Sequence, residues 1–159
     1  MGARLRRLFA VTTALTFALI LLGVYTASAG AGLSCGADWP FCNGGLMWET
    51  VPGFIEWFHR LVAMITGFFI LGSTWGAWRH YDSTRIRAAA TLALVVLPVQ
   101  ILLGGGTVLF YGAWVQVAHH GAALIIFGAL LATTLWAYEE PRRKTGATAE
   151  AGSGYPSDD

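Results

Sequence analysis

Four long apolar runs, separated by shorter polar stretches, dominate the chain. They cover about Leu8–Ala29, Ile55–Trp78, Ala88–Phe110 and Trp114–Tyr138. A bilayer core of about 30 Å needs roughly 20 apolar residues in helical form, so each run is long enough to cross. Two stretches interrupt this rhythm. Residues 30–54 form a long connection between the first two runs, and residues 141–159, PRRKTGATAEAGSGYPSDD, have the Gly, Ser, Pro and charge content of a disordered tail. The pattern predicts an all-α integral membrane protein with one four-transmembrane-helix bundle over residues 1–140, a loop at about 30–54 and a tail from 141.

The basic residues orient this bundle. Arg4, Arg6 and Arg7 precede the first run, Arg79, Arg85 and Arg87 lie between the second and third, and Arg142, Arg143 and Lys144 follow the fourth. Cytoplasmic segments collect Lys and Arg, so the expected topology is N-in/C-in in a cell membrane, with a cytoplasmic tail. The 30–54 loop has no Lys or Arg but carries Asp38 and Glu49, and is expected outside the cytoplasm. Arg60 is the one basic residue toward that outer side.

Composition agrees with this picture and excludes others. The chain of 159 residues is 55% hydrophobic and 12% charged, with a mean hydropathy of +0.57 that an ordinary soluble domain does not reach. A net charge of +1 gives no basis for a nucleic-acid partner. Seven Trp and five Tyr suit interfacial aromatic belts. The start, RLRRLFAVTTALTFALILLGVYTASA, also has the layout of a signal peptide, ending in Ala27-Ser28-Ala29. Its apolar core exceeds the roughly 7–15 residues of such a region, which favours a retained helix.

The second and fourth runs carry the chemistry. His59 lies about one turn inside the start of the second run, and His119 and His120 lie five or six residues inside the fourth. At a rise of about 1.5 Å per residue these imidazoles fall at similar depth. Alternate helices of an up-down bundle can face each other, and two imidazoles so placed can hold a heme iron from both sides. The alternative is separate histidines satisfied by backbone or headgroups. Neighbouring helical residues diverge by about 100°, so only one of His119 and His120 can point inward, and the spacing leaves both open.

Small residues near these positions either let helices pack closely or leave room for a flat macrocycle. They include Gly67, the Gly72/Gly76 pair, Gly104–Gly106, Gly121 and Gly128. Glu56 precedes His59 by three residues. It is either a carboxylate that exchanges protons beside a bound ligand, or a helix-start acid paired with Arg60 at i+4. Arg60 would meet a heme propionate or Glu56. Cys35 and Cys42 lie in the loop expected outside, where thiols oxidise. A structural disulfide and a redox-active pair are both compatible with their spacing.

Four stretches together resemble the heme A synthase family: GLSCGADWPFCNG with its Asp38-Trp39-Pro40, EWFHRLVAMITGF, PVQILLGGGTVL with Gln100, and VAHHGAALIIFG. They occur in the family's order and cover about Leu5 to Tyr138. The resemblance implies a membrane oxidoreductase that converts the C8 methyl of heme O to the formyl group of heme A, for terminal oxidases. It implies that His59 and one of His119 and His120 bind the heme iron, that Glu56 is the catalytic carboxylate, and that Cys35 and Cys42 form the external disulfide pair. Typical members have eight helices in two halves, the second holding a heme b cofactor, and this chain resembles the first half only. Half-length archaeal relatives suggest a homo-oligomer in which a second copy replaces the missing half. Heme O synthase and terminal oxidase assembly factors are the expected partners. A non-catalytic heme-binding or heme-delivery factor is the alternative. A quinone-coupled thiol oxidoreductase fits less well, lacking C-x-x-C and having no use for the histidines.

Overall fold

The computed structural model describes residues 2–36, 41, 42, 50–110 and 112–152, the stretch 141–152 by its backbone alone. Four helices follow one another: α1 Gly2–Ser28, α2 Val51–His80, α3 Thr84–Leu109 and α4 Ala113–Gly152. Each contains a segment long and apolar enough to cross a membrane, Ala113–Glu140 in the case of α4. No strand occurs among the described residues. The chain is a multi-pass membrane protein built as a helical bundle.

Helix starts and stops differ from the hydropathy runs for local reasons. α2 begins four residues before the apolar run, because Thr50 caps it. The Thr50 hydroxyl accepts the Gly53 N–H at 3.2 Å, and Pro52 occupies the first turn, where its missing N–H costs nothing. His59 is therefore two turns inside α2 rather than one. At the other end the Tyr81 N–H bonds the Ala77 carbonyl, and a three-residue turn leads into α3. α3 keeps Pro98 in its interior, as membrane helices tolerate when neighbours re-satisfy the freed backbone. α4 runs past Pro141 to Gly152 through part of the segment whose composition suggests a disordered tail. Its Arg, Lys, Ala and Glu are good helix formers. Residues 153–159 of that tail, and Asp38, Trp39, Pro40 and Glu49 of the loop, lie outside the described residues.

The packing order is cyclic. α1 lies against α2 and α4, and α3 lies against α2 and α4, so that α2 and α4 stand diagonally across the bundle. Two buried clusters fill part of its length. One gathers Phe9, Ala77, Tyr81, Ile86, Ala90 and Ala137 at the end where α2 turns into α3. The other, of Ile70, Ala93, Ile126, Ala129 and Leu130, lies further along α2 and α4 toward their N-termini.

Because lipid is as apolar as leucine, hydrophobicity alone does not join these helices, and polar pairs help to fix their register. Thr12 and Ser73 hydroxyls meet at 2.9 Å between α1 and α2, and those of Thr13 and Thr134 at 2.9 Å between α1 and α4. The Thr74 hydroxyl donates to the Ala90 carbonyl at 2.9 Å, joining α2 to α3. Close approach adds to this. A methyl group at Gly76 would lie 2.4 Å from Leu5 Cδ1, whereas one at Gly72 would meet nothing. Only one glycine of that GxxxG pair is used for packing. At the Tyr81 end, Arg6 lies over Tyr138, Arg79 over Trp75 and Arg87 over Trp78, the cation–aromatic edge expected at a membrane surface.

Candidate functional site

The two diagonal helices present histidines in matching register. On α2, His59 shares a stripe with Thr66, Ile70, Ser73 and Ala77, all buried. On α4, His119 shares one with Ile126, Leu130, Thr133 and Ala137, also buried. The spacings are the same in both: 7, 11, 14 and 18 residues after the histidine. Ile70 and Leu130, each 11 residues on, lie in one core cluster. Ala77 and Ala137, each 18 residues on, lie in the other. α2 and α4 run in the same direction, so His59 and His119 occupy one level. The structure thus singles out the inward histidine of α4, which the spacing left open.

His120 is rotated away. Its Nδ1 donates to the Gln116 carbonyl at 2.8 Å, and its ring stands edge-on to that of His119 at 6.0 Å between centroids. It lies toward the α1 side, about two turns before Phe127, which packs on Phe17.

Glycines on the two remaining helices abut the inward imidazoles. A methyl group at Gly23 of α1 would lie 3.1 Å from His59 Cε1, and one at Gly104 of α3 would lie 3.2 Å from His119 Cε1. Each ring therefore sits where a neighbouring helix offers no side chain. Gln100, one turn before Gly104, brings its Nε2 to 3.4 Å from His119 Nε2. The Nδ1 atoms of His59 and His119 and Gln100 Oε1 are buried without a hydrogen-bond partner. Orphaned polar atoms are rare in a folded interior, and here they converge at one level of one bundle.

This set fits a heme better than a bare metal ion. Among the described residues, no three His, Cys, Asp or Glu side chains gather into a cage. A porphyrin supplies its own ring nitrogens and asks the protein for few further ligands, a demand that two imidazoles on opposite helices would meet. Neither core cluster reaches the histidine level. Two shallow cavities, of about 230 and 430 Å³, lie elsewhere, beside His80 and beside Trp78.

On either side of His59 along α2, Glu56 and Arg60 are joined to the cysteine loop. Glu56 is only 3% exposed; its Oε1 accepts from Arg60 Nη2 at 2.5 Å and its Oε2 from the Cys35 N–H at 2.8 Å. Arg60 Nη1 also donates to the Phe41 carbonyl. Cys35 and Cys42 are bonded to each other and fully buried, with Cys35 Sγ 3.7 Å from the Gly53 carbonyl oxygen. The i+4 pairing of Glu56 with Arg60 is thus present, and it extends to both arms of the disulfide ring.

Sequence reasoning passed over Gly23, the Thr50 cap and Thr12/Thr13. Thr50-Val51-Pro52 is a legible helix start. A lone glycine in an apolar run gives no signal of what it faces.

These features define a membrane bundle with a diagonal histidine pair beneath a disulfide-closed loop. The chain belongs to the cytochrome oxidase assembly protein family COX15-CtaA, whose model matches residues 46–131. It is 32% identical to a heme A synthase of Bacillus licheniformis over 142 residues, 87% of this chain and 47% of that protein. It is 34% identical to a heme A synthase of Lysinibacillus sphaericus over 140 residues, 85% of this chain and 46% of that one. A protoheme IX farnesyltransferase of Halobacterium salinarum is 35% identical over 124 residues, 76% of this chain but 27% of that protein. The chain spans about half the length of the heme A synthases it matches. No solved structure matches it.

Proposed function

We propose that this chain binds heme O between α2 and α4 and takes part in oxidising its C8 methyl group to the formyl group of heme A. The observation that supports this reading best is the pair of half-buried imidazoles, His59 and His119, at one level on diagonal helices. Each has an unpartnered Nδ1 and each abuts a glycine. In this reading the two histidines hold the iron and so orient the macrocycle. His120, hydrogen-bonded to its own helix, is left out of the ligand pair. The family membership and the heme A synthases among its relatives support the reaction.

Turning a methyl into a formyl group takes an oxygen atom from water and releases electrons and protons, so an electron acceptor outside this chain is required. The chain's own contribution is positional and protonic. Glu56, one turn before His59, is the carboxylate placed to receive a proton there, and Arg60 supplies positive charge toward the acidic edge of the heme. As an additional cofactor we propose heme b, held in a second half of the size that the longer relatives carry beyond the matched region. Here a second copy of the chain would stand in for that half.

The loop is taken as extracytoplasmic and both termini as cytoplasmic, on the strength of the Arg and Lys distribution. A stretch alike to this chain forms part of a protoheme IX farnesyltransferase, which supports heme O synthase as a neighbour that hands over substrate.

One observation favours a second reading, that of a non-catalytic heme-binding or delivery factor for oxidase assembly. Both oxygens of Glu56 are engaged by Arg60 and Cys35. Pigment extraction from membranes that express the chain beside a heme O source separates the two. Heme A should accumulate with wild type and vanish with Glu56→Ala. Bound heme without heme A under any electron acceptor would overturn the enzyme reading in favour of the second.

A further inference from the structure

The ion pair at the mouth of α2 meets both arms of the ring that Cys35 and Cys42 close. One arm offers a donor, the Cys35 N–H, taken by Glu56 Oε2 at 2.8 Å. The other offers an acceptor, the Phe41 carbonyl next to Cys42, taken by Arg60 Nη1. Arg60 Nη2 closes the circuit on Glu56 Oε1 at 2.5 Å. With the Glu56 and Arg60 side chains 3% and 15% exposed, little water is at hand to replace a lost partner.

We infer that the Glu56–Arg60 pair is a latch coupling the thiol–disulfide state of Cys35 and Cys42 to the start of α2, with Arg60 as its positioning residue. The ring, when closed, holds the Cys35 N–H and the Phe41 carbonyl at the separation the pair spans. The pair in turn favours the closed ring, since coupling between two equilibria is reciprocal. A dithiol reductant opens the ring. The S–S bond breaks, Cys35 and Cys42 become thiols with the reductant's two electrons and two protons, and the reductant leaves as a cyclic disulfide. The two arms are then untied, and the Glu56 carboxylate changes its partners. His59 lies one turn further along the same helix, so the state of the ring reaches the imidazole site through Glu56 and Arg60. This latch rests on the disulfide and the ion pair alone and holds independently of any heme.

The full chain in detergent micelles is titrated with dithiothreitol, and free thiols are counted with a maleimide. Charge-assisted hydrogen bonds of this kind predict that Arg60→Lys and Arg60→Gln lower the reductant concentration at midpoint by about tenfold or more. Arg87→Gln, which removes the exposed Arg87–Asp82 pair, should leave it unchanged. Equal midpoints for wild type and a folded Arg60→Lys chain would overturn the latch. A second measurement needs no Arg60 variant. Infrared difference spectra of the wild-type chain before and after reduction should show a shifted carboxylate band that is missing in Glu56→Gln. A carboxylate band unmoved by reduction overturns it equally.

Discussion

His59 and His119 stand at one level on the two helices that lie across the bundle from each other. The level is fixed by partners further down the same stripes. Ala77 and Ala137 are in one buried cluster, Ile70 and Leu130 in another, and each pair follows its histidine by an equal number of residues. From this relationship we expect an unequal result from alanine substitution on α4. His119→Ala and His59→Ala should each remove the absorption spectrum of low-spin bound heme from the purified chain, while His120→Ala should keep it. Visible and electron paramagnetic resonance spectra of the three variants check this. Retention in His119→Ala with loss in His120→Ala would reverse the assignment.

The glycine cradles carry a second prediction. Added methyl groups at Gly23 and Gly104 would stand 3.1 and 3.2 Å from the imidazole carbons, so the rings must give way by a few tenths of an ångström. Overpacking of this kind costs about 1 kcal/mol or more. Gly23→Ala and Gly104→Ala should weaken heme binding severalfold, and Gly104→Val should abolish it. Gly72→Ala and Gly128→Ala meet open space and should bind as wild type does. Heme titration followed by absorbance separates the two groups.

A third concerns the junction of α1 with α2. Leu5 Cδ1 sits 2.4 Å from where a Gly76 methyl would lie. Gly76→Ala should lower thermal stability in detergent by about 1–3 kcal/mol, the usual range for an inserted group without room. Leu5→Ala in the same chain should recover much of that loss. Additive losses in the double variant would show that the two residues do not meet.

The hydroxyl pairs give a fourth. Thr12→Ala and Thr13→Ala remove the partners of Ser73 and Thr134. Hydrogen bonds between membrane helices contribute on average about 0.6 kcal/mol each, with a maximum near 1.7. Each variant should therefore shift unfolding modestly, and a Thr12/Ser73 double-mutant cycle should return a coupling in that range. A coupling of zero would mean that the register of α1 is set by packing alone.

Much of this protein is written in its local pattern. The four spans follow from apolar run length, since no other use of twenty consecutive apolar residues is as favourable as crossing a bilayer. The depth of the histidines followed from the regular helical rise, and the Glu56–Arg60 pairing from the i+4 geometry that every helix shares. Even the early start of α2 was legible in Thr50 and Pro52.

What sequence spacing left open was orientation about the helix axis and the identity of neighbours. His119 and His120 are equivalent to a periodicity argument. They became distinct only when Ile126, Leu130 and Ala137 were buried on the His119 stripe by contact with other helices. Gly23 acquired meaning only because α1 packs beside α2 at the level of His59. The union of Glu56 and Arg60 with Cys35 and Phe41 needed a loop folded back on a helix start. Rise and amphipathy are properties of a single helix, readable along the chain. Which faces meet is decided by packing among residues far apart in sequence, and that belongs to the tertiary structure alone.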